Sequence, residues 1–149
     1  MKKINNTYDL IEVIEKYHSD RCHHYEEILS GKLEPMTKLL IEKLLELEKR
    51  SLSIVVAEKS KMDPKSSPYM SSGPTLSTDP EEASKCKHSL DITFQSSLDC
   101  VFKSDVVMDS MLERLEFSTS TPSISDLAIR LKEIQQIKNQ QISNYVRME

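Results

Sequence analysis

The sequence predicts an all-α protein, an up-down four-helix bundle forming a single domain over residues 1–149. Three observations carry this. Two glycines and no tryptophan, beside abundant Leu, Glu, Lys and Ile, suit helices and not sheets. Three segments repeat apolar or small residues in alternating steps of three and four, the period of a helix seam. A proline- and serine-rich run then splits the chain into two helical halves.

The first helix is expected from about Thr7 to Ser30, with Asn6 and Asp9 as an N-cap pair. Gly31 is expected to close it in the left-handed conformation. Pro35 opens a second helix, where the missing N–H does no harm, and the helix runs to about Lys61. Its seam is Leu40, Leu44, Leu47, Ser51 and Val55. The run "MDPKSSPYMSSGPTLSTDP" follows and reads as a long crossover over residues 63–80. Asp79, Pro80 and Glu82 form a capping pattern for a third helix ending near Phe117. Its seam is the most regular: Leu90, Phe94, Ser97, Val101, Ser104, Met108, Met111 and Leu115. Ser123 and Asp126 start a fourth helix that reaches nearly to Arg147, with Leu127, Leu131, Ile134, Lys138, Gln141 and Tyr145 along its seam. Each seam turns polar near its middle.

Composition narrows the function. A net charge of −4 and no Lys/Arg stripe argue against nucleic-acid binding. No apolar run reaches the roughly 18 to 20 residues of a membrane span, and no signal peptide is read at the N-terminus. Cys22, Cys86 and Cys100 are odd in number and lack a CxxC pair, which points to reduced thiols and a cytoplasmic location. There is no GxSxG, P-loop or HExxH, so hydrolase readings have no footing. In "CKH", Cys86 and His88 diverge by about 160° on a helix and form no pair.

The segment "EKYHSDRCHHYEE", Glu15 to Glu27, is the richest in ligand-type side chains. At about 100° per residue, His18 and Cys22 fall on the apolar face with Ile11, Ile14 and Tyr25. Glu15 and Glu26 fall at its edge, and His23 and His24 point away. Glu15 and His18 then share one helix face, as a carboxylate–imidazole pair suited to iron, manganese or zinc. The competing expectation is a core histidine hydrogen-bonded to a polar neighbour. Cys22 reads more readily as a small buried apolar residue than as a nucleophile.

The layout of short loop, long crossover, short loop, with "LELEKRSLSIVVAE" in the second helix, resembles the ferritin-like superfamily and its rubrerythrin relatives. Their second helix commonly has Glu followed three residues later by His. Here Glu48 stands at the glutamate and Ser51 at the histidine. The fourth helix offers Glu133 or Gln135, and Gln136 or Lys138, and no histidine. The resemblance thus implies a bundle that has lost its metal centre and holds no cofactor; with seams that invite a helix partner, it is expected to act through a homodimer or a helical protein partner. It leaves an alternative in which Glu15, His18 and Glu48 bind iron or manganese for oxidase or peroxidase chemistry. A helical chaperone or secretion adaptor, gripping clients through Met108 and Met111, is a third reading. Lys138 could balance Glu48 as an ammonium, or extend from the seam to water.

Overall fold

The computed structural model describes residues 6–62, 94–117 and 122–148, and these form four helices. They are α1 (Thr7–Leu29), α2 (Pro35–Lys59), α3 (Phe94–Phe117) and α4 (Pro122–Met148). The Asp79 cap, the start of the third helix and the crossover lie outside the described residues.

Local chemistry sets the ends. Asn6 Oδ1 accepts from the Asp9 N–H at 2.8 Å, satisfying one free donor of the first turn. Glu34 precedes Pro35 without a side-chain cap, and the fixed φ of the proline starts α2 in its place. Pro122 occupies the first position of α4, one residue before the expected Ser123. Gly31 departs from expectation: no described glycine has a positive φ. Ser30 stays right-handed at φ −73°, its hydroxyl donates to Glu27 O at 2.6 Å, and the Gly31 N–H reaches Ile28 O at 3.1 Å. Those bonds satisfy the last carbonyls without a left-handed residue.

Packing is most extensive between α1 and α2, and α4 packs against both α2 and α3, each of these pairs antiparallel. One apolar cluster joins the start of α1 (Leu10, Ile14), the end of α2 (Val55), the end of α3 (Met111, Leu115) and the start of α4 (Leu127, Leu131). A second joins the opposite ends: Tyr25 and Ile28, Leu40 and Leu44, Leu98 and Val101, and Ile142. It follows that α2 and α3 run parallel, as do α1 and α4. The end of α2 and the start of α3 therefore lie at opposite ends of the bundle. In cross-section α2 and α3 approach across a diagonal, and α1 and α4 do not.

The seam of α2 is buried throughout, as is that of α3 from Ser97 to Leu115 and that of α4 from Leu127 to Lys138, each large apolar side chain contributing about 1.5–3 kcal/mol. In α4 the line drifts at its end: Ile142 is buried and Gln141 only half-buried. A straight helix turns once per 3.6 residues, so a strict seven-residue seam rotates off the core after a few turns.

A candidate site at the centre of the bundle

Between the two apolar clusters lies a polar layer to which every described helix contributes. The middle of each seam supplies it: His18 from α1, Glu48 and Ser51 from α2, Ser104 from α3 and Lys138 from α4, all essentially buried. His18 Nδ1 lies 2.6 Å from Glu48 Oε2. An ionised carboxylate can only accept, so Nδ1 carries the proton and donates it. Lys138 Nζ sits 3.7 Å from Glu48 Oε1 and 2.5 Å from Asp105 Oδ1 on α3. The ammonium thus ties α4 to both α2 and α3.

These contacts decide the charge states. Burial alone would raise the Glu48 carboxyl, but the Lys138 ammonium and the His18 hydrogen bond overcome it and hold it at about 2. Burial likewise opposes the charge on Lys138, and the two carboxylates nevertheless raise it above the usual range. For Asp105 burial wins, and its carboxyl is raised despite Lys138.

A second polar group adjoins this layer. Arg21 is fully buried, its guanidinium 4.5 Å from the centre of the Tyr25 ring. It donates to the Tyr25 hydroxyl oxygen and, at 3.1 Å, to Cys100 Sγ on α3. Tyr17 and Tyr25 are held neutral, burial being the largest cause of their raised pKa values. Two buried atoms, His18 Nε2 and the Tyr17 hydroxyl, meet no hydrogen-bond partner, although Ser104 lies near the latter. Replacing Tyr25 with Phe keeps the ring and deletes one acceptor of a buried cation. The expected loss is about 2 kcal/mol, read from a urea unfolding midpoint. An unmoved midpoint would mean that the guanidinium does not depend on that hydroxyl.

The structure brings His18 and Glu48 together and leaves Glu15 elsewhere. Glu15 is partly exposed, and its Oε2 takes a hydrogen bond from Lys59 Nζ at 2.7 Å. Among the described residues no group of three or more His, Cys, Asp or Glu side chains is placed to hold a metal ion. The carboxylates are taken as well: the Lys138 ammonium stands against both Glu48 and Asp105, which leaves His18 Nε2 as the one ring nitrogen with a lone pair in the layer. Lys138 takes the balancing position and not the path to water.

Other expectations resolve as follows. His23 is exposed, and His24 is half-buried with Nε2 3.8 Å from Cys100 Sγ. Cys22 is a buried free thiol, pushed up to about 11 chiefly by burial and so protonated at neutral pH. Cys100 is disulfide-bonded, so an all-reduced set of cysteines does not hold, and the cysteine count loses its force as an argument for a reducing compartment. Arg21 and Asp105 stand outside the seams that periodicity marks. Arg21 lies three residues after His18 and four before Tyr25, a spacing that places it on the same face. Asp105 sits one residue beyond the seam at Ser104 and reaches Lys138 from the flank.

No described helix is long and apolar enough to cross a membrane. The chain matches no protein-family model, no curated protein and no solved structure.

Proposed function

We propose that the chain is a metal-free helical bundle of ferritin-like layout that acts by binding protein, either a second copy of itself or a helix of a partner. One observation carries this: the Lys138 ammonium is held between Glu48 and Asp105 at the centre of the bundle. A cation supplied by the chain already neutralises the carboxylates that a metal would need. The parallel course of α2 and α3 supports the layout, since a long crossover makes that arrangement.

The test is metal content by mass spectrometry on protein purified without chelator, then again after anaerobic incubation with iron or manganese. Far less than one metal per chain is expected in both. One or two metals per chain, lost on His18→Ala or Glu48→Ala, would overturn the proposal and favour the oxidase or peroxidase reading built on Glu15, His18 and Glu48.

A further inference from the structure

The outer side of α3 carries a second seam, facing away from the core. Asp99, Phe102, Val106, Asp109 and Glu113 follow one another in steps of three, four, three and four, and all five are exposed. Phe102 is 51% and Val106 61% exposed. Single exposed apolar residues are ordinary on any surface; two bulky ones one turn apart, in line on one helix, form a patch. Acidic side chains bracket it at both ends and outnumber the one exposed base beside it, Lys103, by three to one. At its Asp109–Glu113 end the stripe borders a groove of about 320 Å³ between α3 and α4. Lys132, on the groove's other wall, is already paired with Glu116.

Charge selects the occupant. If a second copy docked α3 against α3 antiparallel about Phe102 and Val106, Asp99 would face Asp109 of the other copy. In a parallel pairing each acid would face its own counterpart. Both bring like charges together as the apolar pair is buried, which disfavours self-association here. Anionic lipid surfaces and nucleic acids are repelled by the same carboxylates. A helix with apolar anchors one turn apart and Lys or Arg on both flanks satisfies both features.

We infer that the Phe102–Val106 stripe of α3 docks a basic amphipathic helix of a partner protein. This rests on the protein-binding reading above and names the chemistry of the partner.

The test uses the full chain and two fluorescent synthetic peptides, one of Leu/Lys heptads and one of Leu/Glu heptads, in an anisotropy titration. The Lys peptide is expected to bind at least tenfold more tightly than the Glu peptide, and to weaken at least tenfold when Phe102→Ser and Val106→Ser are combined. Asp109→Lys with Glu113→Lys should reverse the preference. Sedimentation should show no self-association that depends on Phe102. Equal binding of both peptides, or binding of neither, would overturn the inference. Self-association lost on Phe102→Ser would give the face to a second copy instead. Metal content separates the two levels: a metal-free chain that ignores both peptides loses this docking face alone, whereas stoichiometric metal defeats the broader reading whatever the peptides do.

Discussion

Replacing Lys138 with methionine is expected to lower the stability of the fold by roughly 3–5 kcal/mol, the range for removing one partner of a buried ion pair. Lys138 is 2% exposed and is held by two carboxylates, so its loss strands both. Glu48 would keep only the His18 hydrogen bond, and Asp105 would keep Gln135 Nε2 at 3.5 Å. The methionine fills much of the same space, so the effect is electrostatic and not a cavity. Asp105, already raised by burial, has a way out: it can take up a proton. The deficit should therefore be larger at pH 8 than at pH 5. Urea unfolding followed by circular dichroism at both pH values measures this. A shift well under 1 kcal/mol would mean that the lysine reaches water when the network is not binding it.

Acid should undo the same layer from the other side. The Glu48 carboxyl is depressed from 4.5 to about 2. A group whose folded pKa is lowered contributes stability that is fully present above its unfolded pKa and is lost as pH falls through the folded one. The span is worth about 3 kcal/mol, lost between about pH 5 and pH 2. Asp105 works with the opposite sign. Its folded pKa is raised from 3.8, so the native state binds that proton earlier than the unfolded chain, and falling pH favours the fold until the aspartate of the unfolded chain is protonated too. The two together predict a level stretch or slight gain as pH first falls, then a steep decline below about pH 4, where only Glu48 still differs between the folded and unfolded states. Glu48→Gln should begin less stable than the parent and lack the steep limb. If it retains that limb, the acid sensitivity belongs to other carboxylates.

Much of this was legible from residue spacing. Periodicity located α1 and α2 to within two residues, and it placed Ser51, Ser104 and Lys138 on inward faces, because a seven-residue repeat leaves few ways to orient a helix. It also separated His18 from His23, which a count of histidines could not do. Three features were harder to read. Asp105 joins from a position beside the seam, where a side chain can turn inward or outward with little change in the pattern. Arg21 looks like a solvated residue by type, and its burial depends on Tyr25 and on Cys100 from another helix. Glu15 shares a face with His18, yet the end of α2 brings Lys59 to it, a contact set by how two helices cross. The Gly31 expectation failed for a local reason: the serine before it supplied the closing bonds.

The central layer also bears on how such a sequence can change. In the two apolar clusters, leucine, isoleucine and methionine are nearly interchangeable, since volume and patterning matter there more than identity. A slide of one helix by a single turn, about 5.4 Å, would still set oil against oil. It would also pull Lys138 off Asp105, or Glu48 off His18, and leave a bare charge in the interior. The layer thus acts as a ratchet tooth: four greasy rods, free in principle to slip, are locked in one longitudinal setting. Mutational drift should accumulate freely above and below this plane. Within it, His18, Glu48, Asp105 and Lys138 are expected to be replaced together or not at all.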